Sequence, residues 1–436
     1  MQKDSATRRV HHGWAMYDWA NSSYSLVIGT AIFPIYYAAV MEASGRSSYQ
    51  LFGLEFSTTA AYTFVMAAAY LVVSLVTPYL SAVAEVSGSK KSFMRRFIYA
   101  GAATCFAMYF FTADFPLLGL VTPFVASISF AGSLVFYNSY LPEIARPEEQ
   151  DALSARGFAL GYFGSALMLI VALVFIQNPS WFGLEGPGLI TRLTFVAVGI
   201  WWLGWGEYSL ARLPEGRAVG DRQKGWIKAA YLQLFAVAKT FRQTVGLERF
   251  VLGFFFASAG VQTVILIATL FGSQALKLET SALITTILLI QFVGIFGSWL
   301  FAKLGGLLGN IRALLVSGLL WMLITFMAYF IANELQFYLL GAGVGLVLGG
   351  IQSLARSTYS QLLPPAPEHV VYFSFYDLAE KLATVLGMVA VGFLETLTGN
   401  LRLSAVMLSV FFALAVLLWA KVPWQGRIDE PARSKT

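Results

Sequence analysis

Long apolar runs recur along the whole chain of 436 residues, and they constrain its fold more than any other feature. A helix that crosses a bilayer needs roughly 20 predominantly apolar residues. Only 12% of the residues are charged, against about 25% in a typical soluble domain. This composition excludes an ordinary soluble enzyme and a disordered chain, and it predicts a polytopic membrane protein.

The runs are near-continuous, whereas the strands of a membrane barrel alternate apolar and polar residues, so we expect an all-α fold without strands. Twelve transmembrane helices are predicted, near 14–40, 56–84, 93–113, 117–141, 157–177, 190–212, 248–272, 281–303, 311–332, 336–362, 373–396 and 402–421. The longest break predicts two six-helix bundles. The expected domains are an N-terminal bundle over 1–212, a cytoplasmic linker over 213–247, a C-terminal bundle over 248–421 and a cytoplasmic tail over 422–436.

Residues able to hold a metal or to attack a substrate are scarce in this sequence. The single cysteine, Cys105, lies in an apolar run, which excludes a disulfide or a thiolate metal site within the chain. The histidines are His11 and His12 near the amino terminus and His369 in a late loop, a poor set for a metal site. No glycine-rich phosphate loop of the usual spacing is present. We therefore expect no enzyme activity, no catalytic residues, no metal and no cofactor.

The basic residues are distributed unevenly across the predicted topology. If both termini face the cytoplasm, only four of the 29 lysines and arginines fall outside, namely Arg46, Arg192, Lys277 and Arg402. Basic residues concentrate on the cytoplasmic side of membrane proteins. We therefore expect both termini in the cytoplasm and, with no organelle signal visible, a bacterial inner membrane. The net charge of +6 suits contact with anionic membrane lipids and requires no nucleic-acid partner.

The linker carries a pattern of its own between residues 225 and 244. Apolar residues recur there at helical spacing, at Ile227, Tyr231, Leu234, Ala238 and Phe241. Lysines and an arginine lie among them, which predicts an amphipathic helix on the cytoplasmic membrane surface. A soluble linker helix is the alternative.

The two halves share short marks that indicate an internal duplication. YNSYLPE at the end of predicted helix 4 and YSQLLPP at the end of predicted helix 10 align at three positions with an offset of 222 residues. Half of 436 residues is 218, so the offset is close to what a duplication would produce. Such repeats are common in secondary transporters.

The loops after predicted helices 2 and 8 occupy corresponding positions in the two halves. The first reads SAVAEVSGSKK, with an acid at Glu85, a turn glycine at Gly88 and the basic pair Lys90 and Lys91. It resembles the signature loop of the major facilitator superfamily. An acid there can pair with a neighbouring helix end and lock the two bundles in one state. The second loop has Gly306 in the place of the acid, so we expect an incomplete second lock.

Asp18 is a charged residue within the first apolar run, where charges are costly and mark functional sites. Asn21, Ser22 and Ser25 follow at helical spacing and form a polar stripe with it, which we expect to line the bundle interior. Asn21 and Ser25 are candidate substrate contacts. Asp18 is predicted either to pair with a basic residue in a gate or to carry a proton.

Further charged residues lie near helix ends on the predicted cytoplasmic side. Arg156 opens predicted helix 5, Arg356 lies about two turns before the end of predicted helix 10, and Asp377, Glu380 and Lys381 open predicted helix 11. Opposite charges on helices of both halves would form a gate that closes the cytoplasmic side. The alternative for Arg156 and Lys381 is that each extends its charged end to the membrane surface.

Uncharged amides lie deeper in the predicted helices. Asn138, Gln262 and Gln352 are candidate contacts for a small polar substrate, because they stand near mid-span on helices 4, 7 and 10. The alternative is that they form helix–helix hydrogen bonds, each worth about 0.6 kcal/mol. The sequence alone leaves both roles open.

Several of these segments together resemble a known family. YDWANSSYSLVIGTAIFPIYY resembles the opening signature of the autophagy-related vacuolar effluxer-like family of the major facilitator superfamily, and SARGFALGYFGS, GGIQSLARSTYSQLLP and FSFYDLAEKLATVLG match it too. The resemblance implies a twelve-helix, two-bundle fold with alternating access and, in eukaryotes, an association with amino-acid export from the vacuole. Ala259 stands where the family tends to carry an acid on helix 7. Asp18 is then the leading proton carrier if transport is coupled, and uniport is the alternative.

We therefore expect a secondary transporter that moves a small polar solute, an amino acid in the favoured interpretation, by rocking two bundles. The expected partners are this small-molecule substrate, protons if transport is coupled, and membrane lipids, and we expect the protein to be a monomer. One alternative is an exporter of an amphipathic solute such as a drug, siderophore or lipid. Another is a sensor that keeps the transporter fold without transporting, because a fold does not fix a function.

Overall fold

The computed structural model describes residues 5–45, 48–51, 54–183, 188–216, 226–364, 369–398 and 400–423. Within them the chain forms twelve long helices, numbered α1 to α12. In chain order they are Ser5–Ala43, Thr58–Ser87, Lys90–Ala107, Leu118–Ser139, Pro147–Gln177, Leu189–Leu210, Val245–Leu270, Thr280–Leu308, Asn310–Met327, Glu334–Leu362, His369–Thr398 and Leu401–Trp419. Ten of these described helices are long and apolar enough to cross a membrane, so the predicted polytopic helical fold is confirmed.

Shorter helical pieces join or extend these helices. They are the α-helix Leu141–Ile144, the linker helix Trp226–Gln243, the 3₁₀ turns Met108–Phe110, Pro179–Phe182 and Ala328–Phe330, and the π-helical segments Tyr24–Ile32 and Phe271–Ala275. The first π-helical segment lies inside α1, where the hydroxyl of Thr30 donates to the carbonyl oxygen of Ser25 at 3.0 Å. Such segments within α-helices are frequent at functional sites.

A two-stranded hairpin connects α1 and α2, so the expectation of a chain without strands is wrong at this point. The strands Ser48–Leu51 and Leu54–Ser57 pair antiparallel, with Ser48 opposite Ser57. The segment SYQL lies outside the apolar runs, LEFS overlaps the start of one by two residues, and each mixes polar and apolar residues as a partly exposed strand does. The argument against strands concerned only the long apolar runs, and it holds for them.

Each half packs around its own buried aromatic side chains. In the N-terminal half, Trp202 stacks on Tyr24 with ring centroids 5.2 Å apart. In the C-terminal half, Trp321 stacks on Phe412 at the same distance, and the indole nitrogen of Trp419 donates to a backbone carbonyl at 3.1 Å. Buried indoles are stable when the N–H has such an acceptor. The two cores support the predicted arrangement in two bundles.

Glycines bring α8 and α10 into close contact within the C-terminal half. A Cβ added to Gly297 would lie 2.1 Å from the carbonyl oxygen of Leu346, and one added to Gly349 would lie 2.2 Å from that of Gly294. A Cβ on Gly345 would meet another α8 carbonyl oxygen at 2.6 Å. Small residues allow membrane helices to approach backbone to backbone. We call this contact the α8–α10 seam.

The membrane face at which α1 begins and α2 ends carries Lys90, Lys91 and Arg212, and we call it the basic face. The two halves meet through two pairs of contacts. The helix α5 packs against α8 and α10, and α11 packs against α2 and α4. The linker helix packs against α2 and α7, with Val237 buried and Leu232 and Phe235 exposed. The predicted amphipathic helix is therefore formed, while its contact with the membrane surface stays a prediction.

Candidate functional site

A buried ion pair connects α1 of the N-terminal half with α10 of the C-terminal half. Nη1 and Nη2 of Arg356 donate to Oδ2 of Asp18 at 3.1 and 3.0 Å. The two side chains are 3% and 7% exposed. A charge at the centre of a membrane helix costs about 2.5–3.5 kcal/mol on insertion scales, so partners for such charges are expected. The structure thus joins two residues that the sequence analysis selected separately.

Every N–H donor of Arg356 has an acceptor. Besides the two bonds to Asp18, Nε donates to Oγ of Ser154 at 3.0 Å and Nη2 to the carbonyl oxygen of Ser154 at 2.9 Å. Nη1 also donates to Oδ1 of Asn138 at 3.3 Å, and the hydroxyl of Tyr137 donates to Oδ2 of Asp18 at 2.8 Å. A guanidinium offers five N–H groups, so its network is complete. We call Asp18, Tyr137, Asn138, Ser154 and Arg356 the bridging cluster.

Aromatic rings enclose the guanidinium of this cluster. Its Cζ lies 4.1 Å from the ring centroid of Phe158 and 4.7 Å from that of Trp14, and Trp14 stacks on Tyr137 at 4.6 Å. A cation over a ring face is attracted by the electrons of the ring. The rings also exclude water, so the charges of the cluster interact more strongly than they would in solution.

Two glycines on α5 allow α1 to approach the bridging cluster. A Cβ added to Gly157 would lie 2.4 Å from Oδ2 of Asp18, and one added to Gly161 would lie 2.6 Å from Oγ of Ser22. Residues four apart share one helix face, so both glycines face the polar stripe predicted on α1. The segment SARGFALG therefore supplies the space that this arrangement needs.

A second charged cluster lies on α11, away from the bridging cluster. Nζ of Lys381 lies 3.6 Å from Oδ1 of Asp377 and 3.3 Å from Oε2 of Glu380. Nε2 of Gln262 on α7 donates to Oε1 of Glu380 at 2.7 Å, and the ammonium lies 5.7 Å from the ring centroid of Tyr70 on α2. We call these five residues the α11 cluster. It joins helices of both halves.

The α11 cluster holds two carboxylates and one ammonium, and its polar atoms are not all satisfied. Oδ2 of Asp377 is buried and has no hydrogen-bond partner among the residues that the structure describes. The side chain of Glu380 is 23% exposed, the most open of the three charged groups. The helix α11 begins at His369, so these charges lie two to three turns inside it and not at its opening, as the sequence analysis expected.

Two further contacts hold the halves together at the basic face. Oε1 of Glu85, at the end of α2, accepts a hydrogen bond from the backbone N–H of Val370 at 2.8 Å. The N–H groups of a first helical turn have no partner within the helix, so they favour an acid there. Next to this contact, the buried Lys90 pairs with Glu143, whose carboxylate lies 3.6 Å from Nδ1 of His369.

In the corresponding contact after α8, the acid belongs to α5, the helix that meets the loop, and not to the loop itself. Nδ2 of Asn310 donates to Oδ1 of Asp151 at 2.8 Å, and Nε2 of Gln361 donates to the same oxygen at 2.9 Å. Nε2 of Gln361 also donates to the carbonyl oxygen of Pro147, the first residue of α5, at 3.1 Å. The expectation of an incomplete second lock, drawn from Gly306, is therefore wrong, because Asp151 supplies the acid from α5.

Arg156 is a predicted gate residue that lies in neither cluster, and its hydrogen-bond partner belongs to its own half. The helix α5 begins at Pro147, ten residues before the predicted start, so Arg156 lies inside it and not at its end. Its side chain is exposed, and its Nη2 lies 3.0 Å from Nδ1 of His12. The first ten residues of α5, 147–156, are mostly polar, so a search for apolar runs could not include them.

The predicted substrate contacts fall into different surroundings. Asn138 joins the bridging cluster and Gln262 the α11 cluster, while Oε1 of Gln352 accepts the hydroxyl of Tyr162 across the two halves at 2.6 Å. Asn21 is buried, and its Nδ2 has no partner within the described part of the chain. Ser25 is half-buried in the π-helical segment of α1. The hydrogen bonds among the described residues do not join these five into one network.

The sequence analysis missed two members of the bridging cluster. Tyr137 appeared only as the first residue of YNSYLPE, and Ser154 was not selected, because a tyrosine or a serine near a helix end is a weaker signal than a charge or an amide within an apolar run. A usable signal was present in the glycine spacing of SARGFALG, which indicates a face of α5 that another helix approaches. That face includes Gly157, where an added Cβ would lie 2.9 Å from Nη2 of Arg356.

Comparisons with known proteins agree with this architecture. A family model described as "Vacuole effluxer Atg22 like" matches residues 6–429. The uncharacterized MFS-type transporter YxiO of Bacillus subtilis strain 168 is 29% identical over 422 residues, 97% of this chain and 96% of the relative. Autophagy-related protein 22 of Pyricularia oryzae is 22% identical over a 527-residue alignment that covers 96% of this chain and 75% of the relative.

A solved structure shows the same fold. The proton:xylose symporter XylE, bound to 6-bromo-6-deoxy-D-glucose, superposes with a TM-score of 0.71 at 16% sequence identity, and the match covers 96% of both chains. At this identity the likeness establishes the arrangement of the helices only. It confirms the predicted major facilitator fold of twelve helices in two bundles.

Proposed function

The chain belongs to the vacuole effluxer Atg22-like family, and from that premise we propose that it moves a small polar solute of the amino-acid class across the membrane by alternating access. The bridging cluster is the single observation that carries this proposal. It joins α1, α4 and α5 of one half to α10 of the other through a complete set of hydrogen bonds. A contact of this kind must break when the two halves rock apart, so its residues are suited to a gate.

In the proposed cycle, the structure is the state closed at the basic face. The bridging cluster, the contact of Glu85 with Val370 and the contact of Asp151 with Asn310 all join the two halves near that face. Opening the basic face requires all three to separate. Glu85, Asp18 and Arg356 are thus the predicted gate residues that the proposal retains, and Asp151 is added to them.

The α11 cluster is the proposed site of substrate binding or coupling. Its two carboxylates and one ammonium leave an excess of one negative charge, which the ammonium group of an amino acid or a proton would balance. The acceptors for such a group are the exposed part of Glu380 and the oxygen of Asp377 that has no partner among the described residues. Asp377 and Lys381 therefore move from the gate to this site in our proposal.

Proton coupling is assigned to the α11 cluster instead of Asp18. In this state Asp18 is the counter-ion of Arg356, and its Oδ2 accepts three hydrogen bonds. The helix α7 has Ala259 in the place of the family's acid, but one turn further along it Gln262 contacts Glu380. The acid thus reaches this region from α11.

The orientation in the membrane also belongs to the proposal. Because basic residues concentrate on the cytoplasmic side of membrane proteins, we assign the basic face and both termini to the cytoplasm. The Bacillus relative, aligned over nearly the whole chain, supports a bacterial inner membrane. The bundle boundaries at residues 212 and 248 are those of the sequence analysis.

Counterflow in proteoliposomes tests the proposed function. Vesicles are loaded with a mixture of unlabelled amino acids, and labelled amino acids are added singly outside. We expect accumulation of at least one label with the wild-type chain. Glu380→Gln should reduce it at least about tenfold, the equivalent of one charge-assisted contact. Glu395→Gln is the matched control, because Glu395 is an exposed acid on the same helix.

A flat result with folded wild-type protein would overturn the amino-acid proposal and favour the amphipathic solute or the non-transporting sensor. If Glu380→Gln accumulates the label as the wild type does, the proposed substrate class would stand, but the α11 cluster would not be its binding site. Size-exclusion profiles and helical content of each variant establish that the chain is folded.

A further inference from the structure

A groove on the outer surface of the N-terminal half lies between α5 and α6. It has a volume of about 570 Å³ and is lined by Met168, Ala197, Ile200, Trp201, Gly204, Trp205 and Tyr208. Ile200 is 61% exposed at its edge. Because these helices lie in the membrane, the groove opens sideways toward lipid and not toward water. Its occupant is therefore a molecule of the bilayer.

The walls of the groove are aromatic and its floor is open. Trp201 stacks on Trp19 of α1 with ring centroids 5.0 Å apart, and Trp205 meets the same ring edge-on at 6.0 Å. A Cβ added to Gly204 would meet no atom within 4 Å. The rings of Trp201 and Trp205 contact each other edge-on at 6.0 Å, and the glycine leaves open space beside them.

Two arginines stand at the end of the groove on the basic face. Cζ of Arg212 lies 3.3 Å from the ring centroid of Tyr208, which lines the groove. The ring of His12 meets Tyr208 edge-on at 6.1 Å, and Nδ1 of His12 lies 3.0 Å from Nη2 of Arg156. Tyr208 and His12 thus connect the two guanidinium groups into one patch, which we call the head patch.

The head patch lacks counter-charge. In the described part of the chain, no carboxylate oxygen lies within 4.0 Å of Arg156 or Arg212, whereas Lys90, Lys91 and Arg95 at the same face each pair with a glutamate. To the residues that the structure describes, Arg212 donates one hydrogen bond, which the carbonyl oxygen of Tyr208 accepts at 2.8 Å. Most of its donors, and those of the exposed Arg156, therefore remain for an external anion.

We propose that the groove and the head patch bind one anionic phospholipid, with its phosphate between Arg156 and Arg212 and one acyl chain along α6. The dimensions fit a lipid of a single leaflet. At 1.5 Å per residue, Ala197 to Tyr208 spans about 16 Å, which is close to half of a hydrocarbon core of about 30 Å. Basic pockets between membrane helices recognise anionic head groups in this way.

This site is independent of the proposed transport function, because it shares no residue with the bridging cluster or the α11 cluster. It assigns a role to Arg156 that the gate does not. It also places a lipid against α5, the helix that carries Ser154 and Gly157 of the interface between the halves. A lipid held there would stabilise α1, α5 and α6 as one unit.

Lipid retention by the purified full-length chain tests the proposal. The chain in detergent is titrated with dioleoyl phosphatidylglycerol or dioleoyl phosphatidylcholine, and bound lipid is counted by native mass spectrometry. We expect one phosphatidylglycerol to bind at least about tenfold more tightly than phosphatidylcholine, and this preference to disappear when Arg156→Ala and Arg212→Ala are combined.

A second variant separates the acyl chain from the head group. Gly204→Leu places its Cβ in open space and extends the rest of its side chain from the floor of the groove, so we expect it to weaken phosphatidylglycerol binding severalfold in a folded protein. Gly306→Leu is the matched control, since Gly306 is also exposed near the basic face with no atom within 4 Å of an added Cβ. It should bind lipid as the wild type does.

Four results would overturn the proposal. Equal retention of phosphatidylcholine would remove the anion specificity, and full retention by the double arginine variant would remove the head patch. Wild-type binding by Gly204→Leu, or displacement of the lipid by soluble glycerol phosphate at equal concentration, would show that no acyl chain occupies the groove.

Discussion

The bridging cluster and the α11 cluster are both buried charge networks between the two halves, but they differ in how fully their polar atoms are satisfied. In the bridging cluster, every donor of Arg356 has an acceptor. In the α11 cluster, two carboxylates share one ammonium, and an oxygen of Asp377 has no partner in the described residues. A complete polar network holds one conformation, whereas an incomplete one leaves a place for a ligand.

This difference separates a lock from a binding site by a structural criterion. Charge alone does not make the distinction, because both clusters contain acids and a base. The proposal therefore predicts different effects for substitutions in the two clusters. Changes in the bridging cluster should alter which state the protein occupies, and changes in the α11 cluster should alter what it binds.

The largest effect is expected for Arg356→Ala. Breaking a buried ion pair by removing one partner costs about 3–5 kcal/mol, which would shift the equilibrium between closed and open states by a hundredfold or more. The measurement is the labelling rate of a cysteine at Ser357, which is buried one residue beyond Arg356 toward the basic face. A water-soluble maleimide should react slowly in the parent and much faster in the variant, with the buried Cys105 replaced by serine in both.

Arg356→Lys is the companion variant for this experiment. Lysine keeps the charge but lacks the planar fork that reaches Asp18, Asn138 and Ser154 together, so an intermediate rate is expected. Equally slow labelling in the parent and in Arg356→Ala would show that the bridging cluster does not hold the basic face closed.

A smaller effect is expected when both charges of the pair are removed together. Asp18→Asn combined with Arg356→Gln leaves neither an acid nor a base uncompensated, and neutral replacements of buried pairs are often tolerated. If the two residues acted separately, the free-energy effects of the two single substitutions on labelling would add. We expect the double variant to label more slowly than that sum predicts, with a coupling energy of about 1–3 kcal/mol. Additive effects would mean that the two residues act separately, in spite of the 3.0 Å contact.

The smallest effect is expected for Tyr137→Phe. The variant removes the hydroxyl that donates to Asp18 at 2.8 Å and keeps the ring stacked on Trp14. A hydrogen bond to a charged group contributes about 1.5–3 kcal/mol, so labelling at the Ser357 position should rise by at least about tenfold, and by less than in Arg356→Ala. Tyr17→Phe serves as the control, because Tyr17 is a buried tyrosine of α1 whose hydroxyl faces Trp202 instead. If the labelling rate rose equally in Tyr17→Phe, the effect would come from weaker packing of the N-terminal half and not from the lost hydrogen bond to Asp18.

The fold could be predicted from the sequence to a large extent, because apolar runs of membrane length leave few alternatives. Helix ends were less predictable, since polar turns such as 147–156 at the start of α5 lie outside any apolar run. The hairpin after α1 was missed for the same reason, because all but its last two residues lie between runs. Intramembrane charge selected Asp18 and Arg356, but their pairing across 338 positions needed the structure.

The two loop contacts show why the rest could not be predicted. After α2 the acid is Glu85, in the loop itself, and it meets the start of α11. After α8 the corresponding loop has no acid, and Asp151 reaches Asn310 from the start of α5. A loop motif describes only one partner of the contact, whereas the acid that accepts the hydrogen bonds can belong to the loop or to the helix that meets it. The sequence of a single loop therefore cannot show whether its lock is complete.

The α8–α10 seam has a consequence for how this chain can vary. At Gly297, Gly345 and Gly349, an added methyl group would overlap a main-chain carbonyl oxygen, which no change of side chain elsewhere can relieve. Random mutagenesis followed by selection for folded protein should leave these three positions almost invariant, while lipid-facing leucines a turn away accept many residues. The C-terminal half thus contains positions where backbone geometry requires glycine and positions where many amino acids are tolerated.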